Sequence, residues 1–288
     1  MKKIGDRYDG RLLRGLNPFY KLIPFIMKTR VDALVYFEER IEINHTEAYI
    51  RAQKADFKNN ISFLHVVIAA MVRTISQKPG LNRFIAGQRI FARNEILISL
   101  CVKKELKENS PETVVKMKFK PTDTISDIVG KVNAAIDENK KIETNNEADK
   151  TAKLFMMFPR LLINFFMGLI KFCDYYGIMP KIINHISPFH TSVFITDLGS
   201  LGIQPVYHHL YNFGTTSVFI SFGKKQKAKS INQENNIVEK RNIDLKIVVD
   251  ERIADGHYFA NAFKLFKKLI QNTERLEFPP ENVTEDLE

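Results

Sequence analysis

The chain has 288 residues and a net charge of +10, with 44% hydrophobic and 26% charged residues. That composition supports a sizeable core and excludes wholesale disorder. The basic balance points to an anionic partner: nucleic acid, an acidic membrane surface or a phosphate-bearing cofactor. In chain order, Met1 to Gly5 is basic with no apolar run behind it, so no secretory signal is expected. Residues 10–30 mix basic and apolar positions around Pro18 and Pro24 and predict a helical arm packed by Phe19, Leu22, Phe25 and Ile26. Partial alternation from Val31 to Ile43 predicts a long strand. Thr46 has the chemistry of an N-cap and opens a helix through Phe57. Ser62 repeats that signal before a stronger helix, whose apolar stripe runs through Leu64, Val67, Ile68 and Met71 until Pro79-Gly80 stops it.

Short strands follow with a turn at Ala86-Gly87, then a strand over Glu112 to Pro121 and a helix capped by Ser126. Residues 138–152 are polar and predict a surface loop or a frayed helix end. Leu154 to Ile170 is apolar, interrupted by Pro159 and Arg160 and closed by Lys171 and Asp174. The last third predicts strands at Ser192–Gly199, Ser217–Gly223 and Ile243–Ile253, with a solvated hairpin loop over Lys224–Asn236. An amphipathic helix from Tyr258 to Gln271 and an acidic tail over 276–288 close the chain. This order predicts one domain of the α/β class, α+β layered. Cys101 and Cys173 form no CxxC and no zinc spacing, so buried or half-buried thiols in a reducing, cytoplasmic compartment are expected and no metal.

Two segments carry chemistry. In Ser192 to Gly202 a buried strand ends in Thr196, Asp197 and the glycines Gly199 and Gly202. Glycines there permit close approach of a ligand, and a strand-end hydroxyl can donate to a developing oxyanion. In Val248 to Tyr258, Asp250, Glu251, Arg252, Asp255 and His257 cluster where a strand turns into a helix. The competing explanation is an ion-pair network that only pins the turn.

Together the segments resemble the superfamily of 2-oxoacid dehydrogenase acyltransferases and chloramphenicol acetyltransferase. The first is similar to its FTISNLG-x-x-G stretch, with Asn212-Phe213-Gly214 standing for the following asparagine-proline-proline. The second is similar to its DHRxxDG motif at Asp250, Arg252, Asp255 and Gly256, and Pro79 to Phe84 resembles its PELN turn. The agreement spans about residues 15–275.

The resemblance implies a mixed sheet flanked by helices and a homotrimer with active sites between subunits. It implies coenzyme A, as acyl-coenzyme A, entering from one side and the acyl acceptor from the other. A family histidine acts as general base, and a serine or threonine hydroxyl steadies the oxyanion. On this pattern Thr196 takes the oxyanion position and Asp197 replaces the neighbouring asparagine. Asp197, Gly199, Arg252 and Gly256 fall on the substrate-binding positions. Asp255 orients the base loop, with Arg14 or Arg11 as its expected partner. Glu251 stands where the catalytic histidine belongs.

Three readings of Glu251 stay open: a carboxylate base raised by burial, replacement by nearby His257, or a site that keeps binding and has lost transfer. His208-His209 reads as a loop or interface pair. Lys224, Lys225, Lys227 and Lys229 read as a solvated face or a coenzyme A phosphate contact. A nucleic-acid role is not expected, because no aromatic residues interleave with that patch. The 154–170 segment predicts a buried subunit contact or a cover over an apolar acceptor, with peripheral membrane contact as the alternative.

Overall fold

The computed structural model describes residues 3–55, 60–103, 112–141, 154, 156–231 and 234–288. The backbone of the fold is a mixed seven-stranded sheet with the order β2-β10-β8-β7-β5-β6, and β9 added to β10. These strands are β2 (Leu34–Glu42), β5 (Ile96–Lys103), β6 (Glu112–Phe119), β7 (Val193–Asp197), β8 (Val218–Phe222), β9 (Gln226–Ile231) and β10 (Ile237–Asp250). Among the described residues, only β5-β7 and β7-β8 pair in parallel. A small three-stranded sheet, β1 (Gly10–Leu12), β4 (Arg89–Arg93) and β3 (Arg83–Ala86), lies apart. The helices are α1 (Pro18–Ile26), α2 (Asn44–Ala55), α3 (Phe63–Gln77), α4 (Ile125–Lys141), α5 (Arg160–Tyr175), α6 (Lys181–Ile186) and α7 (Gly256–Gln271).

Side-chain alternation splits the large sheet into two unlike faces. Ile98, Val193, Ile195, Val218, Ile220, Leu245 and Ile247 point to one side and form the main core with α3, α4 and α7. The opposite face carries Phe194, Phe219 and Val248, and the irregular segment after β7 covers them through Leu210. There His208 stacks on Phe219 with centroids 4.2 Å apart. The central strands are continuous β-branched and aromatic runs because both faces are covered. α3 is buried nearly all round, beyond the expected stripe, because it is the middle helix of its layer, between α4 and α7.

Several boundaries differ from the sequence expectations. The arm over 10–30 is a short strand followed by α1, not one helix. α2 starts at Asn44, and Thr46 is no cap: its buried hydroxyl donates to Ile270 O at 2.7 Å, tying α2 to the end of α7. Thr124, not Ser126, precedes α4; its N–H and hydroxyl both donate to Asp127, and Asp127 N–H returns a bond to Thr124 Oγ1. Ser62 does cap α3, with its own N–H given to His65 Nδ1 at 2.9 Å. Gln226–Ile231 is a strand paired with β10, although it was expected as loop. Of the polar stretch 138–152, the part to Lys141 belongs to α4, and the rest lies outside the described residues. The turn after Ala86 is Gly87-Gln88, both left-handed at φ 54° and 57°, the geometry of a type I′ hairpin.

Candidate active site

β10 ends at Asp250, and a 3-10 turn over Glu251–Ile253 leads to α7. Asp250 is fully buried. Arg252 grips it with two bonds, Nε to Oδ1 at 2.8 Å and Nη2 to Oδ2 at 2.7 Å. Nη1 of Arg252 also donates to Met27 O and Lys28 O, just past α1. Arg30 adds a second cation 3.7 Å from Asp250. The ion-pair reading of this segment therefore holds for Asp250 and Arg252. Glu251 and Asp255 stand outside that pair, and Glu251 is exposed.

Asp255 is the N-cap of α7, accepting from Tyr258 N–H at 2.7 Å. It also accepts the Tyr20 hydroxyl at 3.0 Å. The Tyr258 N–H, ahead of Tyr20, holds its carboxyl below the usual carboxylate range. The expected arginine partner is absent: Arg14 pairs with Asp6 at 3.0 Å, and Arg11 donates to Asp286 O and Leu287 O. The C-terminal tail folds back and takes the Arg11 donors, while Asp6 and Ile4 O hold the Arg14 side chain within the N-terminal segment. His257 is exposed on the first turn of α7 and accepts from Asn261 Nδ2 at 2.9 Å.

The Pro79–Asn82 turn packs against this loop. Gly80 N–H donates to Tyr258 Oη at 2.7 Å, and Arg83 Nη1 donates to Ile253 O at 3.0 Å. A cleft of about 480 Å³ runs between them, lined by Tyr20, Arg252, Asp255, Tyr258 and the tail residues Thr284 to Leu287. Tyr20 and Arg83 were not singled out from sequence. Arg83 follows the PELN-like turn directly, so its place was the available signal.

Thr196 and Asp197 end β7. Thr196 lies in one row with Ser221 and Lys246, on the face away from the main core. Burial raises the Asp197 carboxyl, against the N–H groups of Ser200 and Gly199 that hold it. A side chain at Gly199 would sit 2.6 Å from Gly223 O, so only glycine allows that approach. Asn212 Oδ1 accepts from Arg30 N–H at 2.9 Å.

Register places the two segments at opposite ends of the sheet. Thr196 pairs through Ser221 to Lys246, and Glu251 lies five residues further along β10 and its turn, about 17 Å away at ~3.3 Å per residue. Within one chain they cannot share a reacting atom.

Lys116 is a further group that the sequence reading passed over as a strand lysine. Its ammonium donates to Asn184 O at 2.7 Å and Ser187 O at 3.2 Å, capping the end of α6. Burial pushes it down to about 7. The unfolded chain keeps that proton to ordinary lysine pH, so unfolding takes up a proton between about 7 and 10.5. Stability gained with rising pH in that window follows. The melting-temperature difference between wild type and Lys116→Met is expected to rise by several degrees from pH 7 to 10; a pH-independent difference contradicts this.

Cys101 and Cys173 are half-buried. Of the lysine cluster, Lys225 pairs with Glu47 and Lys227 with Glu239. The apolar segment becomes α5, starting after Pro159, and none of its residues is buried. Its polar ties to the body, among the described residues, sit in its last turn. Arg7 donates to Asp174 O and Oδ1, and Tyr175 Oη donates to Gln88. Burial would raise Asp174, but His190 and Arg7 outweigh it and hold the carboxyl at about 2. Among the described residues no helix is long and apolar enough to cross a membrane.

No family model and no curated protein matches the sequence. Solved structures do match over almost the whole chain. A probable dihydrolipoamide acetyltransferase from Listeria monocytogenes aligns at a TM-score of 0.58 and 14% identity, covering 98% of this chain and 99% of that one. The dihydrolipoamide acetyltransferase of Azotobacter vinelandii aligns at 0.59 and 12% identity, covering 96% and 93%. Chloramphenicol acetyltransferase aligns at 0.55 and 12% identity, covering 91% and 99%. The chain therefore has an acyltransferase fold of the α/β class. In particular, it has the fold shared by the dihydrolipoamide acetyltransferases and chloramphenicol acetyltransferase.

Proposed function

We propose that residues 1–288 form one acyltransferase-like domain that moves an acyl group from acyl-coenzyme A to a thiol or hydroxyl acceptor. The observation that carries this reading is the placement of the two motif segments at opposite ends of one sheet. A homotrimer that sets the Thr196 end of one copy against the Glu251 end of the next would complete a site that one chain leaves divided. There a base takes the acceptor proton, the acceptor oxygen or sulfur attacks the thioester carbonyl, and the Thr196 hydroxyl donates to the oxyanion. Collapse of the tetrahedral adduct expels the coenzyme A thiolate. Gly199 lets the Gly223 backbone approach, Gly256 leaves open space at the start of α7, Asp197 shapes the turn beside Thr196, and Asp255 with the Asp250–Arg252 pair holds the base loop. The two half-buried thiols suit a reducing cytoplasm.

Glu251 decides the chemistry. A carboxylate base for a thiol needs burial, and in one chain Glu251 is exposed, so only a neighbouring copy could supply it. That exposure favours a second reading, a trimer that binds coenzyme A or a partner with its transfer chemistry impaired. His257, with its ring bonded to Asn261, is the alternative base.

Calorimetric titration of coenzyme A tests the shared core of both readings. Saturable binding by the intact protein is expected. Absence of binding by wild type and by Glu251→His alike would remove the acyltransferase reading.

A further inference from the structure

α5 presents its apolar side to solvent. Leu161, Leu162, Phe165, Leu169 and Phe172 recur at helical spacing on one stripe, and all are exposed, Leu161 by 83% and Phe165 by 64%. The half-buried positions, including Phe166 and Ile170, lie on the other side. A soluble helix ordinarily shows the reverse pattern. α1 adds Phe19, Leu22, Phe25 and Ile26, also exposed. Phe25 of α1 and Tyr176, just past α5, both line one cleft together with the Gly87–Arg89 turn. Each helix thus carries a cluster of exposed apolar side chains, the kind of surface that marks a contact site.

Charge identifies the occupant. On α1, α5 and α6 the charged groups are Lys21, Arg160, Lys171, Lys181 and one acid, Asp174. Asp174 is turned inward, its side chain 17% exposed and held by Arg7. The apolar surface is thus rimmed by exposed cations alone on these helices. Pairing this surface with itself about a two-fold axis would set like charges together with no acid between them. An anionic bilayer offers both things the surface lacks, an apolar layer and a negative headgroup plane. α5 has 16 residues, about 24 Å of helix against a hydrocarbon core of about 30 Å, so it suits lying in the interface and not crossing it.

We propose that α5, with α1 beside it, docks this protein onto the surface of an anionic phospholipid membrane. The proposal is independent of the acyl-transfer reading.

Flotation of the intact protein with vesicles of phosphatidylcholine, with and without phosphatidylglycerol, tests it. Binding is expected only with phosphatidylglycerol, weakened by salt. Leu161→Ser with Phe165→Ser is expected to reduce partitioning at least tenfold while leaving circular dichroism and melting unchanged, because both side chains are already exposed. No flotation at low salt, or flotation unaffected by the double variant, overturns the proposal. So does a fall in oligomeric state of that variant by sedimentation, which would assign the surface to a second copy.

Discussion

Arg252→Leu is expected to destabilise the protein by about 3–5 kcal/mol, the cost of stranding one member of a buried ion pair. Asp250 has no exposure and would keep only Arg30, 3.7 Å away, as a charged partner. Arg252 also bridges β10 to the chain after α1 through Met27 O and Lys28 O, so its loss frees two carbonyls as well. Arg40→Leu is the control. Arg40 makes the same bidentate grip on Asp244, at 2.7 and 3.0 Å, but its side chain is 63% exposed. Asp244 is itself buried but keeps Gln226 Nε2 at 2.7 Å, and the Arg40 head stays in water, so a loss of about 1 kcal/mol is expected. Thermal melts should separate the two variants by roughly 10 °C, taking ~2–4 °C per kcal/mol for a chain of this size. Replacing Asp250 and Arg252 together by apolar residues should recover part of the loss. Equal shifts for Arg252→Leu and Arg40→Leu would show that burial adds nothing here.

The parts of the fold legible in sequence were those whose side-chain pattern is set by burial. β7, β8 and β10 announce themselves because Val, Ile and Phe recur where both faces are covered. β9 was missed because Lys227, Ala228 and Lys229 are exposed on both faces; backbone pairing with β10 alone makes it a strand. Ser62 held as a cap, and the other two expected caps failed for a related reason. Asn44 and Thr46 both have cap chemistry, and only the tertiary bond to Ile270 O removes Thr46. At α4 the signal was present: Thr124 with Asp127 three residues on is a capping box, and Ser126 was the weaker choice.

The site was legible in its residue types and not in its geometry. Motifs name Thr196 and Glu251, but only the strand register offsets them by about 17 Å along the strand direction. The partner of Asp255 was misread because the tail takes Arg11 through backbone carbonyls, which carry no sequence signature, and Asp6 takes Arg14. The acidic tail expected from composition is docked in part, with Arg83 gripping Asp286 and Ser76 O accepting from Thr284 N–H. Nor does sequence tell a buried apolar helix from an exposed one: α5 has the composition of a core helix and faces solvent.

Glu251→His is expected to raise acyl transfer by about 10²–10⁴-fold, the usual contribution of a positioned general base. The substitution is well placed to be tolerated. Glu251 is exposed and lies outside the Asp250–Arg252 pair that fixes the turn, and an exposed change of this kind ordinarily alters stability by less than about 0.5 kcal/mol. The neighbouring scaffold stays in place, since Asp255 caps α7 and Arg83 holds Ile253 O without involving Glu251. Thiol release from acetyl-coenzyme A, read with a thiol reagent, gives the rate. A gain that follows the ionisation of one new imidazole with pH would mean that the rest of the machinery, Thr196 included, is intact and only the base was lost. His257→Ala separates the remaining possibility: a wild-type rate that collapses in that variant would make His257 the working base, and Glu251→His would then add little. If Glu251→His binds coenzyme A and still transfers nothing, the defect lies at the Thr196–Asp197 end, where a half-buried carboxyl stands in place of the neutral amide of the resembling motif.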